Sequence, residues 1–137
     1  MDLVTGRRST LLMGLAVVAG LYWLAMFAGT HLPIATTPTD DPYSLDKLEH
    51  IAAFALLAVL LCGLGAAFGF KSRTLCIGTF LVIALYGILD EASQALVSHR
   101  KPDVLDWLAD MVGAAVGIAA FWFFCRLRVR AGEPNGN

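Results

Sequence analysis

The sequence predicts an all-α, polytopic membrane protein: a small bundle of four transmembrane helices with both termini in the cytoplasm. Three observations lead there. Of 137 residues, 58% are apolar and only 15% charged, with a mean hydropathy of +0.69, outside the range of a soluble domain. The apolar residues gather into runs close to the length that crosses a hydrocarbon core, about 20 residues in a helix. Basic and acidic side chains then sort to opposite ends of those runs. The chain reads as one domain. Its formal net charge of −1 says nothing by itself about nucleic acid or acidic ligands, and no nucleic-acid partner is expected.

The first run, Leu11 to Gly29, spans 19 residues behind Arg7 and Arg8. Arg7-Arg8-Ser9-Thr10-Leu11-Leu12 resembles a twin-arginine signal, but the run exceeds a usual signal core. Gly29-Thr30-His31-Leu32-Pro33 also offers no small-x-small cleavage site, so a retained helix is expected. Pro33, Pro38 and Pro42 make residues 30–45 read as an extended loop. A second span is expected over about 48–70, followed by the basic turn Lys71-Ser72-Arg73.

The third run holds only 16 residues from Thr74 to Leu89 before it meets acid, and it crosses comfortably only if it continues to about Val97. Asp90 and Glu91 then lie about 10 Å inside the helix end by helical rise. The fourth span is expected over about 104–125, stopped by Arg126, Arg128 and Arg130, with a frayed tail at 131–137. Cys62, Cys76 and Cys125 lie in or beside apolar runs without Cys-x-x-Cys spacing. They suit neither a disulfide framework nor a thiolate metal site.

A cytoplasmic amino terminus puts seven of the ten basic residues inside: Arg7, Arg8, Lys71, Arg73, Arg126, Arg128 and Arg130. Lys47, Arg100 and Lys101 are then outside, with nine of the eleven acids and all three histidines. Trp107 falls near the outer interface and Trp122 near the inner one, as amphipathic rings prefer. Gly113-x-x-x-Gly117 and Gly65-x-x-x-Gly69 offer small surfaces for close helix contact.

Polar residues collect at the outer ends of the last three helices. At 100° per residue Gly87, Asp90, Glu91 and Gln94 share one face within about 100°. Asp46 and His50 are an i, i+4 pair with Lys47 one position round. On the fourth helix Asp103, Asp106 and Asp110 lie within about 60° of one another, and Gly113 and Gly117 continue the stripe. An acid at a helix centre costs about 2.5–3.5 kcal/mol on the insertion scale, and less towards the interface. These groups are therefore expected to face a shared, outward-opening pocket rather than lipid.

Five or six carboxylates in one pocket repel. Protonation, bonding to Arg100, Lys47 or His50, and coordination of a divalent cation are the three ways to relieve that. Asp46 and Asp103 also suit the start of a helix, where acids cap free amides. A polar network that merely joins helices is the plain alternative for Asp90, Glu91, Gln94, Asp106 and Asp110, although packing alone needs fewer charges.

Asp46-Lys47-x-x-His50-x-x-x-Phe54, then Asp90-Glu91-x-x-Gln94, then Arg100-x-x-Asp103-x-x-Asp106-Trp107-x-x-Asp110-x-x-Gly113 resembles the VanZ-like family of small bacterial membrane proteins. The matching blocks run from Asp46 to about Gly117, with Asp110 where that family more often has Asn. The resemblance implies an integral protein of the bacterial cytoplasmic membrane, in a family named for low-level resistance to the glycopeptide teicoplanin. It implies no established reaction and no established cofactor.

The expected function is an envelope factor whose outer pocket, built from Asp46, Lys47, His50, Asp90, Glu91, Gln94, Arg100, Asp106 and Asp110, binds a polar head group. A membrane lipid, a lipid-linked cell-wall precursor and a glycopeptide are the candidate ligands. The alternative is an enzyme on a lipid-linked substrate, with Glu91 or Asp90 as general base and His50 or an acid-bound cation assisting. No Ser-centred nucleophile motif, His-Glu-x-x-His zinc signature or Gly-rich phosphate loop supports that alternative. Ion transport is a third reading, weakened by inner helix halves that hold no ionisable partner.

Overall fold

Each apolar run forms one helix, because a chain without water must satisfy its backbone groups internally. The computed structural model describes residues 2–31, 42–97 and 102–132. Helices α1 (Asp2–His31), α2 (Pro42–Ala67), α3 (Ser72–Gln94) and α4 (Val104–Gly132) make up the bundle. All four are long and apolar enough to cross a membrane, over Ser9–His31, Leu45–Ala67, Ser72–Gln94 and Val104–Val129. The all-α, four-helix expectation holds.

The helix ends depart from expectation in ways that local chemistry explains. Thr30 and His31 continue α1, and α2 begins at Pro42, so the expected loop keeps only residues 32–41, which lie outside the described residues. Proline suits a first helical position, where its missing N–H has no intrahelical partner to lose. Helix α2 stops at Ala67 rather than Phe70. Gly69 takes φ +86°, its N–H reaches the Ala66 carbonyl at 3.0 Å, and the Phe70 N–H reaches Gly65 at 3.1 Å. That is a Schellman closure with glycine in the left-handed position. Gly69 is thus a turn residue, whereas Gly65 does give close contact, since a Cβ there would collide with the Leu75 side chain of α3.

Helix α3 ends at Gln94 instead of about Val97. Having started at Ser72, its 23 residues already reach about 34 Å. Helix α4 runs on through Arg126 and Arg128 to Gly132, since arginine is a good helix former and cations suit a helix C-terminus.

The most extensive helix contact is between α2 and α4, and glycine makes it. A Cβ on Gly113 would lie 2.5 Å from the Ile51 carbonyl oxygen and 3.1 Å from the Ala55 nitrogen. Gly117 presses in the same way on the Ala55 carbonyl and the Ala58 side chain. Phe54, Leu57, Ala58, Ile83 and Ala114 form the buried centre, and Tyr22, Trp23 and Met26 of α1 pack against it. Helix α1 is peripheral, tied on by the Tyr22 hydroxyl donating to the Ala53 carbonyl at 2.9 Å. Its exposed Leu11, Leu21 and Leu24 suit a lipid-facing surface.

Candidate functional site

Helix α3 buries one continuous stripe: Leu75, Thr79, Ile83, Gly87, Asp90, Glu91 and Gln94. The stripe is apolar for most of its length and turns polar in its last two turns. The α2 and α4 N-terminal turns and the α1 C-terminus meet it there, so one end of the bundle holds most of the described ionisable side chains.

Asp90, 3% exposed, joins α3 to α1. Its Oδ2 accepts the Gln94 amide at 2.8 Å and its Oδ1 the Thr30 hydroxyl at 3.1 Å. The Tyr86 hydroxyl points at the same Oδ1 from 3.4 Å, and His31 Nδ1 lies 3.9 Å away. His31 also meets Ser93 Oγ through Nε2 at 2.8 Å. This network closes on itself.

Asp110, 2% exposed, joins α4 to α2 through His50 Nδ1 at 2.8 Å. Glycine at position 87 makes room for it: a Cβ there would sit 3.1 Å from Asp110 Oδ2 and 3.0 Å from the Trp107 ring. Phe54 links the two networks, stacked at 6.4 Å on His50 and tilted by 31° against Tyr86 at 5.8 Å.

Lys47 supplies the third connection. Its ammonium donates to Asp106, to Asp103 at 2.9 Å and to Asp46 at 3.4 Å. Glu91 holds the start of α4 in place by accepting the Asp103 N–H at 2.8 Å. Asp103 in turn caps α4, its Oδ1 accepting the Leu105 N–H at 2.8 Å. That N–H, and after it the Lys47 ammonium, hold the Asp103 carboxyl below the ordinary carboxylate range.

A lowered native value gives stabilisation that is present above the ordinary range, near about pH 4, and fades as the pH falls through the native value. The protection factor of the Leu105 amide, its exchange rate relative to the unstructured chain at the same pH, should therefore fall below about pH 4. In Asp103→Asn that acid-dependent step should be absent.

Two openings border these networks. A cavity of about 320 Å³ between α1 and α2 is lined by Met26, Gly29, Thr30, Asp46, Glu49, His50, Ala53 and Phe54. A second, of about 280 Å³, lies where Glu91, Asp103 and Trp107 meet. Asp46, His50 and Asp106 each bring a ligand atom within 4.8 Å of the other two, which suits a metal ion, but Lys47 is already bonded to two of the three.

Of the residues singled out in the sequence, Asp46, Lys47, His50, Asp106 and Asp110 meet across α2 and α4. Asp90 and Gln94 pair within α3, Asp90 also bonds Thr30 of α1, and Glu91 meets the α4 start. Arg100 lies outside the described residues. Thr30, His31, Tyr86 and Ser93 were not foreseen. Tyr86 carries a signal at one turn before Asp90, and Thr30-His31 carries one as a polar pair directly beyond an apolar run.

A family profile described as VanZ/LLP1 matches residues 8–125. Comparison with curated proteins and with solved structures returns no match.

Proposed function

We propose, from the premise that the chain belongs to the VanZ/LLP1 family, that this multi-pass membrane protein binds a polar head group in the cavity beside His50. On this reading the protein sits in the bacterial cytoplasmic membrane with both termini in the cytoplasm. The polar end faces outward, where it takes a membrane lipid, a lipid-linked cell-wall precursor or a glycopeptide, and the protein contributes to envelope or antibiotic tolerance. Positive-inside sorting supports that orientation, since exposed Lys71, Arg73, Arg126 and Arg128 mark the opposite end.

One observation carries the reading. Asp90 and Asp110 are enclosed by partners within the bundle, as structural networks are, whereas Asp46, Glu49 and His50 line open space. Two carboxyl groups and an imidazole on an otherwise apolar lining suit a polar head group. The test is a deletion strain challenged with glycopeptides and other envelope stresses, then complemented with Asp46→Asn, Glu49→Gln or His50→Gln, the ionisable groups of the cavity lining. Sensitivity should rise on deletion and at least one variant should fail to restore tolerance; full restoration by all three contradicts the proposal.

The Asp46, His50 and Asp106 grouping supports a second reading, a cation-assisted enzyme on a lipid-linked substrate. Lys47 separates the two. If its ammonium stands where a cation would, Lys47→Ala should raise affinity for Mn²⁺ about tenfold, or about 1.4 kcal/mol, in a spectroscopic titration. On the enzyme reading the unaltered protein already retains a stoichiometric divalent ion through purification.

A further inference from the structure

The other end of the bundle has a different character. There α2 and α3 diverge around the Phe68–Lys71 turn and leave a groove of about 400 Å³, lined chiefly by Leu61, Leu64, Phe68, Phe70, Gly78 and Val82. Positions 74 to 82 of α3 give it a length of about 12 Å by helical rise. Thr79 adds little polarity, because its hydroxyl already accepts from the Cys62 thiol at 3.6 Å. Part of the space exists because residue 78 is glycine: a Cβ there would meet nothing within 4 Å. Lys71 and Arg73, both exposed, adjoin the lining residues Phe70 and Thr74 in the chain, and among the described residues neither forms an ion pair with a carboxylate.

An elongated apolar groove whose lining adjoins two unpaired cations in the chain matches one amphiphile. We propose that it holds an acyl chain of an anionic phospholipid whose phosphate rests on Lys71 and Arg73. The chain fills the space beside Gly78, and the turn set by Gly69 brings Lys71 to the level of the head group. Juxtamembrane cations favour anionic over zwitterionic lipid by about fivefold each, so the site selects by charge as well as by shape. It is separate from the polar end and does not depend on the head-group reading proposed for that end.

The full chain in detergent, titrated with phosphatidylglycerol and phosphatidylcholine of identical acyl chains and read by native mass spectrometry, tests this. Retention of phosphatidylglycerol should exceed that of phosphatidylcholine about 25-fold, and Lys71→Gln with Arg73→Gln should bring the two close to parity. Arg126→Gln with Arg128→Gln, a surface control, should leave the preference intact. Gly78→Leu fills the groove and should cut retention of both lipids about tenfold. Val82→Trp fills the same groove from an exposed position and should do likewise, with melting temperature confirming that both variants fold. Equal retention of the two lipids, a preference that survives loss of Lys71 and Arg73 or vanishes with Arg126 and Arg128, or undiminished binding in folded groove-filling variants would overturn the proposal.

Discussion

Leucine at Gly117 should prevent α2 and α4 from closing. The first atom of any side chain there would collide with the Ala55 carbonyl oxygen and come within 2.8 Å of the Ala58 Cβ. Overpacking of a core typically costs about 1–3 kcal/mol because side chains give way. Here the obstacle is largely backbone, so the bundle must separate, and a loss above about 3 kcal/mol is expected. In detergent this should appear as a sharp fall in melting temperature and in the monodisperse fraction. Gly63→Ala is the counterpart, since a Cβ on Gly63 meets nothing within 4 Å. Replacing a mid-helix glycine there should stabilise by up to about 1 kcal/mol.

Asp110→Ala should be the most damaging change at the polar end. His50 and Asp110 are 12% and 2% exposed at their side chains, and Asp110 Oδ1 is the acceptor facing His50 Nδ1 at 2.8 Å. Removing one member of a buried hydrogen-bonded pair costs about 1–3 kcal/mol, because the other is left unsatisfied. Asp110→Asn keeps an oxygen at the same place, so most of that stability should survive. The VanZ-like resemblance agrees, since that family more often carries Asn at this position. Melting temperatures of the two variants, with His50→Leu and the double variant completing a cycle, separate lost hydrogen bonding from lost charge. The Ala variant should melt far below the Asn variant.

The sequence carried much of the fold because two periodicities were strong. Apolar runs of spanning length fixed the number of helices, and the recurrence of Gly87, Asp90, Glu91 and Gln94 at helical spacing marked the face that α3 buries. The Gly113 and Gly117 stripe told the same story for α4. Helix ends were less legible, because apolar length says nothing about capping. Gly69 reads as one more small residue in an apolar run until its left-handed φ and the Phe70 to Gly65 hydrogen bond show a helix terminus.

The pairing of polar groups was hidden for a related reason. Local spacing sets Lys47 beside Asp46 and His50, yet its closest partners are Asp106 on α4 and Asp103, which caps that helix. The α1 contribution was missed because Thr30 and His31 follow the last apolar residue of their run. Only the tertiary contact with α3 shows that they face Asp90 and Ser93.

The central claim is that the cavity beside His50 receives a polar head group, and photo-crosslinking in growing cells tests it most directly. Gly29 lines that cavity, is exposed and has open space at its Cβ, so a benzophenone amino acid can replace it without a clash. The same replacement at Leu21, on the exposed face of the same helix, samples bulk lipid. The account predicts an adduct at position 29 that is enriched in one head-group class relative to position 21 and is lost when Asp46→Asn and Glu49→Gln are added. Identical adducts in identical proportions at the two positions would contradict it.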